Sequence, residues 1–94
     1  MSAVIDHETR LLAAIAYGEA STANEPLEMG GIAFAVTDRC RAWGNKSVSA
    51  LRSADANYAY AWNGSNDRYN RLMRTPEREI ELNGAMRDAV AWSR

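Results

Sequence analysis

Apolar residues recur three or four positions apart along most of the chain, and the recurrence is broken by Gly, Pro and Asn. That period predicts helices. Asp6 followed by Leu11, Leu12 and Ile15 predicts a capped first helix over about Asp6 to Ala20, with Ser21 to Asn24 as a loop. The second helix has the clearest pattern, with Met29, Ile32, Ala33, Val36, Cys40 and Trp43 on one face. Pro26 sits in its first turn, Glu25 and Glu28 suit its positive end, and Arg39 and Arg41 precede the terminator Gly44. This face makes the second helix the expected centre of the domain, with Met29, Ile32, Val36 and Trp43 largely buried. Gly30-Gly31 weakens it by about 1 kcal/mol per Gly relative to Ala. Such a pair marks a close helix approach.

Ser47 predicts a cap for a short third helix over about Val48 to Ser53. The helical pattern then lapses from Ala54 to Ser65. Tyr58, Tyr60 and Trp62 alternate there, which fits two short strands, but Asn66 to Arg74 is helical again. An irregular aromatic loop turning at Asn63-Gly64 is the preferred reading. Thr75-Pro76-Glu77 opens a last helix, lined by Leu82, Met86 and Ala89 with Ala85 and Trp92 adjacent. With no repeat or linker, residues 1–94 are expected to form one all-α, or mainly α, domain.

Composition thins the expected core. The hydrophobic fraction is 47%, but much of it is Ala, so aromatic residues must supply a large share of the buried surface. Net charge is −1, which gives no broad basic face for nucleic acid. The three Arg at 39, 41 and 52, and those at 68, 71 and 74, read as solvated helix faces. Cys40 is the single cysteine and His7 the single histidine, so neither a disulfide nor a zinc constellation is expected. No metal or other cofactor is expected. The N-terminus lacks a basic region followed by an apolar run, and no segment approaches a membrane span. Synthesis in the cytoplasm without a Sec-type signal is the expectation.

Glu19 is the residue on which chemistry is most readily placed. It lies four residues after Ile15 and seven after Leu12, so it continues the apolar stripe of the first helix toward the core or a cleft floor. Burial and the negative helix end both favour a protonated carboxyl, as a general acid requires. A helix terminus contributes only about 0.3–1 kcal/mol. Desolvation by neighbours such as Tyr17 therefore has to do most of the work. Periodicity alone favours another reading, a solvated Glu at a frayed helix end.

Tyr17-Gly18-Glu19-Ala20 closing an apolar helix, then a loop, then Met29-Gly30-Gly31-Ile32-Ala33-Phe34-Ala35-Val36-Thr37-Asp38-Arg39, resembles the cell-wall hydrolase family of spore-cortex-lytic enzymes. That family closes its second segment on Asn-Arg, where this chain has Asp38-Arg39. The segment from Asn57 to Asn66 resembles peptidoglycan-degrading effectors of bacterial contact-dependent secretion. The resemblance spans roughly residues 9 to 74. It implies a small lysozyme-like helical fold that cleaves peptidoglycan glycan strands, as a muramidase or a lytic transglycosylase, with Glu19 as general acid.

No second acid matches a family motif. Glu25, Glu28, Asp38 and Asp55 are candidates by proximity in sequence. Tyr58, Tyr60, Trp62, Asn63 and Asn66 would form a sugar-binding wall. The balancing reading makes Trp62 and one Tyr core, with Asn63-Gly64 merely turning the chain. The resemblance further implies action in the periplasm or cell wall after export by a non-Sec route, and a delivery or neutralising protein as partner. Its members continue past the equivalent of Trp92-Ser93-Arg94 into an aromatic, Gly-rich segment that helps close the groove. This chain is therefore expected to be either a minimal version or the N-terminal portion of a longer domain. An exposed apolar patch at Leu82, Met86 and Trp92 would follow. A second reading is a non-catalytic helical binding module derived from the same fold, and a third is a small cytoplasmic regulator whose helices merely imitate the pattern.

Overall fold

The computed structural model describes residues 5–20, 26–44, 47–55, 58 and 64–94. Those residues contain six helices and no strand: α1 (His7–Glu19), α2 (Pro26–Ala42), α3 (Val48–Ala54), α4 (Asp67–Arg74), α5 (Glu77–Leu82) and α6 (Gly84–Ser93). The fold is all-α.

Short polar side chains set where most helices begin. Asp6 accepts the Thr9 amide at 2.8 Å and caps α1. Ser47 accepts the Ala50 amide at 3.1 Å at the start of α3. The Glu8 carboxylate, reaching across from α1, accepts the Val48 amide at 2.8 Å and ties α3 to α1. Asn66 caps α4 through the Tyr69 amide. Thr75, expected to cap the helix that follows it, instead donates its hydroxyl to the Arg71 carbonyl and closes α4.

The hydrogen bond from the Thr9 amide holds the Asp6 carboxyl below its usual value of 3.8. A depressed folded pKa contributes stability that is present above the unfolded value and lost as pH falls through the folded one. Asp6→Asn keeps the acceptor oxygen but cannot titrate. Its thermal midpoint should therefore fall less than the parent's as pH drops below 3.8. Parallel acid limbs in the two proteins would remove the cap from the pH response.

The centre of the domain is α1, not α2. It packs against α2, α3, α4 and α6. Leu11, Leu12, Ala13, Ala14, Ile15, Ala16 and Tyr17 are all buried, so over those residues α1 has no solvent face. The second helix has a single inward face of Met29, Ala33, Val36 and Cys40. Ile32 is half-buried beside it. Trp43 departs from expectation. The helix stops at Ala42, Gly44 turns the chain at φ +87°, and Trp43 in that turn is 44% exposed.

The single last helix expected after Pro76 is two helices broken at Asn83. That residue donates its amide to Glu79 and Ile80 carbonyls at the end of α5, and accepts the Met86 amide at the start of α6. The break resets the helical phase. Ile80, Met86, Ala89 and Val90 face the core, whereas Leu82, expected to line it, is 87% exposed. Leu82 and Trp92 are exposed as the patch expectation requires, but Met86 is buried. Leu27 and Phe34, on the outward face of α2, are exposed as well. No helix among the described residues is long and apolar enough to cross a membrane.

The two glycines of α2 differ. A Cβ at Gly30 would lie 2.7 Å from two atoms of the Trp92 indole, so α6 is admitted there by the missing side chain. Nothing lies within 4 Å of a Cβ at Gly31. Gly31→Ala should therefore stabilise the protein by up to about 1 kcal/mol through helix propensity. Gly30→Ala should show no such gain, because Trp92 must swing off α2, which a change in its fluorescence would report. Equal effects of the two substitutions on chemical unfolding would contradict this packing.

Candidate active site

Glu19 is the last residue of α1, and its position depends on how the helix is closed. Two side chains from the start of α4 accept that task. Asn66 Nδ2 donates to the Gly18 carbonyl at 3.2 Å, and Arg68 Nε donates to the Tyr17 carbonyl at 2.8 Å. The Arg68 guanidinium also lies over the Tyr17 ring, 3.9 Å from its centroid. Carbonyls at a helix C-terminus lack intrahelical partners and attract cations, so these contacts offset both deficits.

Gly18 makes the approach feasible. A Cβ there would stand 3.1 Å from Asn66 Oδ1 and 3.2 Å from Tyr69 Cβ, tighter than ordinary contact.

The packed surface of α1 stops one residue short of Glu19. Tyr17 is buried, Gly18 half-buried and Glu19 exposed. This corrects the expectation that Glu19 continues the buried stripe to a cleft floor. Since α1 is enclosed on all sides from Leu11 to Tyr17, extrapolating its periodicity does not tell which side of the next turn is covered. Asn66 and Tyr69, at the start of α4, lie against Gly18, and beyond Glu19 the chain turns Ala20 back into the core.

Of the expected sugar wall, the structure describes Tyr58 and Asn66. Tyr60, Trp62 and Asn63 lie outside the described residues. Asn66 has its amide engaged at both ends, Nδ2 on Gly18 and Oδ1 on the Tyr69 amide. It joins the end of α1 to the start of α4 and so positions Glu19. Tyr58 is half-buried, packs against the core and donates its amide to the Asp55 carbonyl at 3.0 Å. Burial pushes its phenol above the usual tyrosine value, the Arg39 cation draws it back, and Asp55, Glu19 and Cys40 push it up again.

Among the acids weighed as a second carboxylate, Asp55 is the buried one, with 7% of its side chain exposed. Its Oδ2 accepts from Arg39 Nη1 at 2.7 Å. Glu28 and Asp38 are exposed on α2, and Asp38 lies 3.9 Å from Arg41. Glu25 lies outside the described residues. The Arg39–Asp55 pair was not foreseeable as a pair. Its members are 16 residues apart in different segments, with no periodicity linking them.

A groove of about 560 Å³ lies at the opposite end of α1, between Leu12, Phe34, Val48 and Trp92. The carboxylate at its edge, Glu8, is consumed in capping α3. Cys40 also borders it, and burial first, then the nearby Glu8 charge, pushes its thiol up, away from the reactive thiolate. Among the described residues no group of three or more His, Cys, Asp or Glu side chains could hold a metal ion.

Comparison with protein-family models, with curated proteins and with solved structures gives no match.

Proposed function

We propose that the protein cleaves the glycan strands of peptidoglycan on a small lysozyme-like helical scaffold, with Glu19 as the general acid. The observation that carries this reading is the clamped end of α1, where Asn66 and Arg68 hold the Gly18 and Tyr17 carbonyls and the Glu19 carboxyl stands exposed beside them. The Tyr-Gly-Glu-Ala resemblance supplies the substrate class.

In this reading the Glu19 carboxyl gives its proton to the glycosidic oxygen as the bond to the anomeric carbon breaks. In transglycosylation the sugar's own 6-hydroxyl then attacks the anomeric carbon and returns its proton to Glu19. In hydrolysis a water attacks, and a base takes its proton. Asp55 is poorly suited to that second role, because Arg39 already holds its carboxylate.

Action in the periplasm or cell wall after non-Sec export, with a delivery or neutralising protein, belongs to the same proposal.

The test is direct. Purified cell walls should lose turbidity on addition of the protein, and the released ends define the reaction. Anhydro-muramic ends indicate transglycosylation and reducing ends indicate hydrolysis. The exposure of Glu19 favours a second reading, a non-catalytic module that binds glycan or protein. Wall binding without any released ends would select it.

A further inference from the structure

At the C-terminal end of α2, a groove of about 580 Å³ is lined by Ala35, Asp38, Arg39, Ala42, Trp43 and Asp55. It combines an aromatic plate with a fixed ion pair. The Trp43 side chain is exposed to solvent. Trp43 donates its amide to the Arg39 carbonyl at 3.1 Å, so the indole and the guanidinium rise from adjacent turns of one segment. The Arg39 side chain is half-exposed, while its partner Asp55 is buried and orients it. A guanidinium carries more N–H donors than one carboxylate oxygen consumes.

We propose that this groove is a sugar subsite, in which the Trp43 indole stacks on a pyranose ring and the Arg39 guanidinium, oriented by buried Asp55, donates to its neighbouring hydroxyls. A pocket that reads a ring through one apolar face and a few placed polar groups has this composition. Tyr58 is tied to the segment that carries the ion pair, through its amide bonded to the Asp55 carbonyl at 3.0 Å. The choice of ligand rests on the glycan reading above, but the subsite does not depend on Glu19 acting as an acid.

The full chain carrying Glu19→Gln, which leaves the ligand intact, is titrated with soluble peptidoglycan glycan fragments freed of stem peptides. The indole N–H resonance of Trp43 should shift on binding. Adding Trp43→Ala should weaken the Kd by about ten-fold or more with an unchanged thermal midpoint. Arg39→Lys, which keeps the charge and loses the planar fork, should also weaken binding. Unweakened binding by Trp43→Ala overturns the subsite and leaves the acid reading standing. Failure of the Glu19→Gln chain itself to bind the fragments overturns the subsite as well. Binding that depends on Trp43, in a parent that releases no glycan ends, upholds the subsite and removes the acid.

Discussion

Glu19→Gln is expected to lower glycan-strand cleavage by a factor of about 10²–10⁴ while the protein stays folded. The amide keeps the size and much of the hydrogen-bonding capacity of the acid, but it has no proton of suitable acidity for the leaving oxygen. Stability should hardly change, because the side chain is exposed and substitutions at such positions usually fall within about 0.5 kcal/mol. Binding to purified cell walls should persist, since Tyr58 and the groove at Trp43 are untouched. Released ends, counted against an active parent, are the measurement. Parent-like cleavage by folded Glu19→Gln would remove the residue from catalysis.

Ile15→Ala should be the most damaging of the stability changes. Ile15 is completely buried in α1, the helix that packs against four others. Truncating an Ile in such a place costs about 2–5 kcal/mol, of a total that for whole domains is about 5–15 kcal/mol. For a chain this small, that loss should leave a substantial unfolded fraction near physiological temperature. Leu82→Ala is the control, expected within about 0.5 kcal/mol because Leu82 is 87% exposed. Urea unfolding followed by circular dichroism compares them. Similar costs at the two positions would mean that the centre of the domain lies elsewhere.

The parts of this fold that were legible in the sequence are those governed by local chemistry. Asp6 and Ser47 cap helices because a short acceptor before a periodic run meets an unpaired amide a few residues on. Gly44 ends α2 because it can take a positive φ. What was not legible depended on neighbours distant in sequence. Nothing within α1 announces that four helices will surround it, since Ala13, Ala14 and Ala16 look as neutral on a surface as in a core. Trp43 fits the spacing of the buried face, but the helix stops before it, and spacing has no meaning past a terminator. Asn83 reads as one more helical residue until its side chain is seen capping α6.

The site divides in the same way. Glu19 could be singled out from its place at a helix end, whereas its exposure depends on packing between segments distant in sequence. Asn66 could be read as a sugar ligand from its amide. The structure gives that amide to Gly18 and Tyr69, contacts that no local pattern encodes. The Arg39–Asp55 pair is wholly tertiary.

The alanines of the interior have a consequence for how this protein can change. Ala13, Ala14, Ala16, Ala33 and Ala89 are buried at helix contacts. Side chains of that size bring helix axes toward the short end of the usual range of about 8–10 Å. They do not fill space so much as set the spacing of the bundle. Enlarging one of them at a helix contact crowds the facing helix, and overpacking of this kind typically costs about 1–3 kcal/mol. Sequence drift in this interior is therefore limited by crowding more than by cavities. Α1 in particular can exchange its large residues for one another more readily than it can enlarge its small ones.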